Sequence, residues 1–377
     1  MQVTARLVSA VLKLAAADPR IAKRPEDFDR DPWLFNTWTG TVELKTGEIR
    51  EHRREDYITK WAPVGPGGDC PLFLEFLNQI FDGDAELISY LQKYFGYILT
   101  GVTTEHSMLF FYGTGANGKS VLLSTIAGVM GKYHKVAPMD SFTSGGFAQH
   151  PTDMAGLQGA RLVTAIETEE GRTWAEAKIK SLTGGDKITA RFMRQDFFEY
   201  VPVFKLIVVG NHKPNLRSVD EAMRRRLNLI PFNVTISPGK RDKNLVENLK
   251  AEWPGILQWM IEGCLKWQRE GLNPPAAVAA ATADYFGAED SIGTWIEERC
   301  ELSKSYTDTS AALFSSWKAW AELTGEPAIN RKAFANKLAC REGIEPYRTE
   351  KGRGYKGIRV VNVDSAFMDR SPSWHDA

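Results

Sequence analysis

A glycine-rich run at residues 113–120, Gly-Thr-Gly-Ala-Asn-Gly-Lys-Ser, has the spacing of a loop that binds nucleotide phosphates. An apolar stretch, Met108–Tyr112, precedes it, and a helical pattern follows at Val121–Met130. Glycines let the backbone turn successive N–H groups toward phosphate oxygens, and the helix adds its positive end. Lys119 is expected to reach the β- and γ-phosphates, and the Ser120 hydroxyl to ligate Mg²⁺. The predicted phosphate contacts are Gly113, Thr114, Gly115, Ala116, Asn117, Gly118, Lys119 and Ser120.

Carboxylates follow the next predicted strand, Leu162–Ile166, in the order Glu167-Thr-Glu169-Glu170. A carboxylate at the C-terminal end of a parallel strand faces the crevice in which nucleotides bind. Mg²⁺ needs hard oxygen ligands and an attacking water needs a base. We assign Glu167 to Mg²⁺ or its waters and Glu169 to the water, with an exchange of the two roles left open. An acidic cluster of this kind can also be a solvated helix start.

Two further candidates come after the strand Lys205–Val209 and before the strand Leu227–Phe232. Asn211 can contact the γ-phosphate and position the attacking water, although Asn is also common in turns. Three arginines, Arg224 to Arg226, precede the last strand. Arg226, or Arg225 as second choice, is where ring ATPases place an arginine that completes a neighbour's site, whereas a solvated basic turn is the alternative.

Residues 179–201 predict a helix ending at Gly184 and then a β-hairpin with Arg194 near its tip. Basic and aromatic side chains on a protruding hairpin suit a sequence-independent grip on single strands. The alternative is a surface hairpin whose aromatic side chains pack inward.

The last segment, 291–377, predicts three helices and a Gly-rich hairpin, which is the element order of a winged helix. Its possible DNA contacts are Arg331, Lys332, Lys337, Lys351 and Arg353. A protein-binding winged helix or plain surface basicity is the alternative.

The composition limits the remaining possibilities. The 377 residues carry 47 basic and 47 acidic side chains, so a nucleic-acid partner must be met by a local basic surface. No apolar run is long enough to span a bilayer, and four widely spaced cysteines suggest neither a zinc module nor a disulfide framework. We therefore expect a cytoplasmic protein without a structural metal, and no membrane partner.

Alternating apolar strands and helical stretches from Ser107 to Phe232 predict an α/β fold with a mainly parallel sheet. The predicted organisation has three parts. Residues 1–104 form short β-hairpins and a helical collar, residues 105–290 the ATPase core with trailing helices, and residues 291–377 the winged-helix-like segment.

Taken together, these motifs resemble the superfamily 3 helicases, specifically the helicase portion of phage and plasmid primase–helicases of the satellite-phage and poxvirus type. The matching stretches are GTGANGKS (113–120), RLVTAIETEEGR (161–172), IKSLTGGDKITAR (179–191), FKLIVVGNHKP (204–214) and RRRLNLIPF (224–232). The resemblance implies an AAA+-like P-loop core that forms a hexameric ring on single-stranded or forked DNA, uses ATP and Mg²⁺, and moves 3′→5′. It places Lys180, Lys187, Arg191 and Arg194 in the DNA-facing hairpin region, makes Asn211 the sensor and Arg226 the arginine finger.

The chain departs from that pattern in two places. In the second motif, Glu-Thr-Glu-Glu stands where the family has two adjacent carboxylates. In addition, no primase half is evident upstream, so the chain is either a fragment or a helicase whose primase or polymerase is a separate partner. An origin-recognition or loading ATPase that unwinds little is the alternative function. A small-molecule P-loop kinase is disfavoured because no acceptor lid is evident.

Overall fold

The computed structural model describes residues 3–144, 151–167, 171–216, 220–288, 290–326, 329–339, 341, 343–349 and 352–361. Two compact units divide the chain, the first ending at Thr282 and the second beginning at Ala283. None of the helices in these ranges is long and apolar enough to cross a membrane.

The N-terminal part of the first unit combines a small antiparallel sheet with helices. Its sheet has the order β1-β2-β3, and each pair is antiparallel. The elements are α1 (Ala5–Ala17), β1 (Leu34–Asn36), β2 (Thr41–Glu43), β3 (Glu48–Arg50), α2 (Pro71–Ile80) and α3 (Ala85–Leu99). The hairpins and the helical region were expected, but α1 was not, since it buries none of its residues.

The centre of the first unit is a five-stranded parallel sheet with the order β12-β4-β11-β7-β5. Three strands are buried throughout or nearly so, as expected for a parallel sheet covered on both faces. Its elements, with the short strands that flank it, are β4 (Met108–Tyr112), α4 (Lys119–Met130), β5 (His134–Val136), β6 (Thr143–Ser144), α5 (Pro151–Ala155), β7 (Leu162–Glu167), β8 (Thr173–Trp174), α6 (Glu176–Gly184), β9 (Ile188–Ala190), β10 (Phe198–Tyr200), β11 (Lys205–Gly210), α7 (Glu221–Arg224) and β12 (Leu227–Pro231).

The parallel sheet and the hairpin predicted from the sequence are confirmed. All four predicted strands are present, and β9 pairs antiparallel with β10 after α6 ends at Gly184. Gly185 takes the left-handed conformation (φ +79°) that stops this helix. The short edge strand β5 was not predicted, because His134-Lys-Val136 is too short and polar for a pattern to emerge.

Three helices complete the first unit and reach the division between the units: α8 (Leu245–Ala251), α9 (Trp253–Glu270) and α10 (Ala276–Ala288). Helix α9 packs against α3 so closely that two glycines are required. A Cβ on Gly96 would lie 2.0 Å from the backbone nitrogen of Cys264, and one on Gly263 would lie 2.0 Å from the carbonyl oxygen of Gln92. The Gln92 side chain also donates to the Trp259 carbonyl at 3.0 Å.

Buried cations join this helical layer to the sheet. Lys205, the first residue of β11, is 1% exposed and donates to the carbonyl oxygens of Thr100 at 2.5 Å and Val102 at 3.1 Å. Arg161, which precedes β7, donates to the carbonyl oxygens of Leu99 at 2.5 Å and Leu34 at 2.8 Å. Burial lowers the pKa of both side chains, that of Lys205 most. The C-terminal end of α3 is therefore held by two positive charges, which suits its dipole.

The second unit contains α11 (Ser291–Arg299), β13 (Cys300–Thr309), α12 (Ser310–Thr324), α13 (Arg331–Ala339), β14 (Glu345–Thr349) and β15 (Gly352–Val360). Its antiparallel sheet has the order β13-β15-β14, and its core is built around Trp295, Trp317 and Phe334. The three helices and the final hairpin agree with the sequence prediction. Strand β13 was missed because most of its residues are polar and lie on an exposed edge.

We expect Lys205→Met to lower the free energy of unfolding by about 1–3 kcal/mol, because the carbonyls of Thr100 and Val102 lose their donor. Urea denaturation measures the change. Lys135→Met, at an exposed position of β5, is the matched control and should stay within about 0.5 kcal/mol of wild type. A Lys205→Met variant as stable as wild type would show that desolvation of the ammonium cancels its hydrogen bonds.

Candidate nucleotide site

The strand register brings the predicted catalytic segments to one edge of the sheet. Gly210 of β11 pairs with Tyr112 of β4 on one side and with Glu167 of β7 on the other. Because these strands are parallel, the residues that follow them emerge side by side at the C-terminal edge, where α/β sheets bind ligands. The loop after Tyr112, the end of β7 and Asn211 therefore share this edge.

The loop from Gly113 to Gly118 has the backbone of a phosphate cradle. Gly113, Gly115 and Gly118 have φ values of +154°, +98° and +86°, and Ala116 has +50°. A Cβ on Gly113 would lie 2.5 Å from the Phe232 carbonyl oxygen, so only glycine fits there. The loop leads into the 12-residue helix α4, whose N-terminus begins at Lys119. This arrangement of glycines and a helix N-terminus fits phosphate groups.

The ammonium of Lys119 is held by neutral oxygen atoms. Its Nζ donates to the Gly113 carbonyl at 2.6 Å, to Oδ1 of Asn117 at 3.2 Å and to Oδ1 of Asn211 at 3.3 Å. The side chain is 5% exposed, and burial lowers the pKa of Lys119. The predicted lysine and the predicted sensor asparagine are thus in direct contact.

Asn117 has a role that the sequence motif did not indicate. Besides accepting from Lys119, it donates through Nδ2 to the Phe232 carbonyl at 3.2 Å, just beyond β12. A backbone bond from Ile236 to the Ala116 carbonyl, 2.8 Å long, joins the same two segments. The loop is therefore tied to the chain that follows β12, and Asn117 orients the lysine from that side.

A cavity of about 520 Å³ lies beside the loop, and its lining is mixed: apolar residues are joined by Glu75, Gln79, Arg241 and Asp242. Ala116, Gly118 and Val121 line one part of it, and its other lining residues include Leu72, Phe76, Ile236 and Leu245. Its size is within the range of small-ligand sites. Sequence analysis missed this cavity because α2 and the segment after β12 are far from the loop in sequence.

The predicted metal and base residues are placed only in part. Ser120 lies exposed at the start of α4, and Glu167 ends β7 at the level of Gly210. Glu169 and Glu170 lie outside the described residues, so the choice of base stays a prediction. Across the described ranges, no group of three or more His, Cys, Asp or Glu side chains could hold a metal ion. Mg²⁺ bound mainly through phosphate oxygens and water needs few protein ligands, so the Ser120 hydroxyl is compatible with it.

Arg226 is engaged within its own subunit. Its Nε donates to Oγ1 of Thr183 at 3.1 Å and its Nη1 to the Ala222 carbonyl at 2.8 Å. Arg225 is exposed by comparison. Either arginine precedes β12 by one or two residues, and the choice between them stays open.

The hairpin between β9 and β10 carries three of its four predicted basic residues on exposed positions, Lys187, Arg191 and Arg194. Lys180 is half-buried on α6. Phe192 stacks on Phe198 with ring centroids 5.6 Å apart, while the neighbouring Phe197 is 59% exposed. The hairpin thus uses some aromatic side chains for its own packing and exposes another.

In the second unit, the predicted basic residues border a groove of about 1040 Å³. Arg331 and Lys332 reach it from the start of α13, and Arg353 from β15, together with Arg348 of β14. Lys337 lies further along α13, and Lys351 is outside the described residues.

Two family models match separate parts of the chain. Residues 2–82 match the family described as D5 N terminal like, and residues 111–226 match a family of unknown function, DUF5906. The second match contains the phosphate loop, β7, the hairpin and β11, which are the segments that form the candidate site.

Viral proteins provisionally named helicases match most of the chain. It is 26% identical to the one from Acanthamoeba polyphaga mimivirus, 24% to helicase 022R of Frog virus 3 (isolate Goorha) and 25% to helicase 184R of Invertebrate iridescent virus 6. These alignments cover 72%, 76% and 75% of this chain but 30%, 31% and 34% of the relatives. The chain therefore spans about a third of the length of the relatives it matches.

Solved structures of the NrS-1 C-terminal region share the fold. The structure of residues 305–718 aligns with a TM-score of 0.53 at 12% identity, covering 94% of this chain and 90% of that one. A second form aligns with a TM-score of 0.50 at 10% identity, covering 93% and 90%. The D5-type match over residues 2–82 and the viral relatives support a likeness to the phage and viral primase–helicase family.

We expect Asn117→Asp to weaken ATP affinity at least tenfold. The new carboxylate would pair with the Lys119 ammonium, 3.2 Å away, and repel phosphate. Equilibrium binding of a fluorescent ATP analogue measures the effect. Asn273→Asp, at an exposed position after α9 and outside the lining of the cavity, adds the same charge and should leave affinity unchanged. Equal affinities for wild type and Asn117→Asp would contradict the positioning role.

Proposed function

We propose that the chain is the motor part of an ATP-dependent DNA helicase with an AAA+-like, superfamily 3 core. The observation that carries the proposal is the contact between Lys119 and Asn211 at the sheet edge where β7 also ends in Glu167. The sheet order supports it, since β11 lies between the phosphate-loop strand and the carboxylate strand. An amide in that position can detect the γ-phosphate and hold the attacking water.

Hydrolysis would proceed at this edge with residues in separate roles. The loop N–H groups and Lys119 bind the phosphates and balance the charge that develops on the γ-phosphoryl group. Mg²⁺ supplies further neutralisation when bound, with Ser120 and Glu167 as its candidate protein ligands. Glu169 accepts the proton of the attacking water, and Asn211 orients that water. The cavity beside Ala116, whose lining is partly apolar and partly polar, would receive the nucleotide base.

A ring assembly would complete the site from a neighbouring subunit. We assign this role to Arg226 or Arg225, whose charge would stabilise the transition state at the next subunit's γ-phosphate. Arg226 would have to exchange its bonds to Thr183 and Ala222 to reach across, whereas Arg225 is already exposed. Six subunits are expected from the superfamily 3 resemblance.

DNA contacts are assigned to the hairpin of the first unit. Its exposed cations Lys187, Arg191 and Arg194 can neutralise phosphates, and Arg191 lies over the exposed Phe197 ring, with 4.7 Å from its Cζ to the ring centroid. The primase or polymerase partner, and the host-cell cytoplasm as the site of action, belong to the proposal for the longer protein.

A second candidate is a loading ATPase that binds duplex DNA and unwinds little. The basic groove of the second unit favours it, because Arg331, Lys332, Arg348 and Arg353 line a groove with no carboxylate among its described lining residues. The arrangement helix–strand–helix–helix–hairpin supports our proposal of a winged-helix-like module; in a winged helix the third helix enters a major groove.

The test is ATP hydrolysis with and without single-stranded DNA, alongside displacement of strands from 3′- and 5′-tailed duplexes. We expect DNA-stimulated turnover and unwinding of the 3′-tailed substrate, both abolished in Lys119→Ala because the phosphate charge loses its partner. Stimulated turnover without displacement would favour the loading ATPase. Undiminished turnover in Lys119→Ala would contradict both candidates.

The same assay tests the arginine by mixing. Arg226→Ala and Lys119→Ala subunits, each inactive alone, should regain some turnover together, since one interface can combine an intact loop with an intact arginine. Full activity of Arg226→Ala alone would exclude Arg226 from this role, and the same mixture is then made with Arg225→Ala.

For the hairpin, we expect Lys187→Ala and Arg194→Ala to weaken single-strand affinity and unwinding more than DNA-free ATP hydrolysis. Each lost phosphate contact should also reduce the slope of log affinity against log salt by about 0.7. Lys135→Ala on β5 is the control for loss of an exposed cation. If both hairpin variants keep the wild-type DNA affinity and salt slope, the DNA contacts must lie on another surface.

A further inference from the structure

The N-terminal sheet carries a second open groove, away from the phosphate loop in sequence. Its volume is about 770 Å³, and Phe28, Trp38, Tyr57 and Trp61 contribute to its lining. Trp38 is 70% exposed, and its ring centroid lies 5.6 Å from that of Trp61. A group of exposed aromatic side chains is unusual on a surface that only contacts water, because burying these rings would lower the free energy. Such groups commonly mark binding sites.

Charge and polarity at this groove favour an anionic, planar ligand. Arg53 and Arg54 line it together with His52, and its lining contains no carboxylate. Neither guanidinium forms an ion pair within the described part of the chain, in contrast to Arg50, which pairs with Glu43 and Asp56. The two arginines are therefore available for phosphate groups.

The polar part of the lining is held in place by the fold. Asn36 donates its backbone N–H to the Tyr133 hydroxyl at 3.0 Å, and its Oδ1 accepts from the Thr41 hydroxyl at 3.0 Å. The Asn36 side chain, held in this way at the groove, supplies hydrogen-bonding groups for a base edge or a sugar. The groove thus has a fixed polar part beside exposed arginines and exposed rings.

The backbone beside Tyr57 is strained and supported from the neighbouring loop. Tyr57 and Asp29, neither a glycine, have φ values of +48° and +52°. Asp29 donates its N–H to the Tyr57 carbonyl at 3.2 Å, and its Oδ1 accepts from the Thr59 N–H at 2.8 Å. These bonds hold the backbone of Tyr57, which lines the groove, in this conformation.

From these observations we infer that the groove between Trp38, Tyr57 and Arg53–Arg54 binds a single-stranded nucleic acid, with a base stacked on Trp38 and phosphates on the two arginines. The inference rests on the proposed function for its nucleic-acid context, but it concerns a surface separate in sequence from the ATPase segments and from the hairpin. Lys23 already lies over the Tyr57 ring at 4.8 Å, so Trp38 is the main stacking surface.

The alternative occupant is a proline-rich peptide, since aromatic grooves also bind extended peptides. Two arginines that form no ion pair in the described part of the chain, in a groove whose lining has no carboxylate, favour the nucleic acid, because a proline-rich segment offers them no negative charge.

The test uses the full chain and fluorescein-labelled oligo(dT) of twenty nucleotides, with affinity measured by anisotropy. Trp38→Ala should weaken binding about 5- to 100-fold, as expected for the loss of one stacked base, whereas Trp38→Tyr should stay within about threefold. The double variant Arg53→Ser/Arg54→Ser should reduce the salt slope by about 1.4. Leu74→Ala and Arg269→Ser, at exposed positions elsewhere in the first unit, are the matched controls.

Photocrosslinking of an oligonucleotide that contains 5-iododeoxyuridine locates the contact, and mass spectrometry should find adducts on Trp38 or Trp61. Wild-type binding that Trp38→Ala leaves unchanged, with adducts only elsewhere, would overturn the inference. Trp38-dependent binding of a polyproline decapeptide, without any effect on the oligonucleotide, would do the same.

DNA-free ATP hydrolysis, measured on the same preparations, separates the two proposals. If ATP hydrolysis depends on Lys119 but Trp38→Ala does not change oligonucleotide affinity, the groove assignment is wrong and the proposed motor function stands. If Trp38→Ala weakens oligonucleotide binding but the wild-type protein hydrolyses no ATP, the proposed motor function is wrong and the groove assignment stands.

Discussion

Two buried cations that form no ion pair within the described ranges organise the first unit. Lys205 and Arg161 stand at the starts of neighbouring strands, and both donate to carbonyl oxygens at the end of α3. Burying charge costs free energy unless hydrogen bonds satisfy it, so these side chains determine how the helical layer meets the sheet. Arg161 also reaches the Leu34 carbonyl and lies over the Tyr133 ring at 4.8 Å. One pair of residues thus fixes the N-terminal sheet, α3 and the central strands relative to one another.

The candidate nucleotide site lies at the opposite end of the same strands. Because β7 and β11 are held at their starts and paired in register, the backbone at Glu167 lies level with Gly210, and Asn211 follows directly after it. The proposed chemistry is thereby confined to short segments on a rigid support. Asn117 extends that support to the loop, since it connects Lys119 with the chain beyond β12.

Short sequence patterns were sufficient to predict those structural elements whose signal lies within a few consecutive residues. The Gly113–Ser120 run, the four apolar strands and the hairpin after Gly184 were predicted because glycine spacing and apolar runs are read within a few residues. The burial of Lys205 and Arg161 could not be predicted, because charged side chains are usually exposed and the carbonyl oxygens that bind these two are distant in sequence. Helix α1, β5 and β13 were missed because they bury little apolar surface. The cavity beside Ala116 and the groove at Trp38 arise only when separate segments are brought together.

The close approach of α3 and α9 has a mechanical consequence. Gly96 of α3 and Gly263 of α9 each lie against the backbone of the other helix. Sliding one helix along the other would bring backbone atoms into a clash, so we expect α3 and α9 to move as one unit. The hairpin, by contrast, rests on two strands of three residues each. Segments held by few buried contacts open at low free energy, so we expect the hairpin to be displaced before the helix pair is.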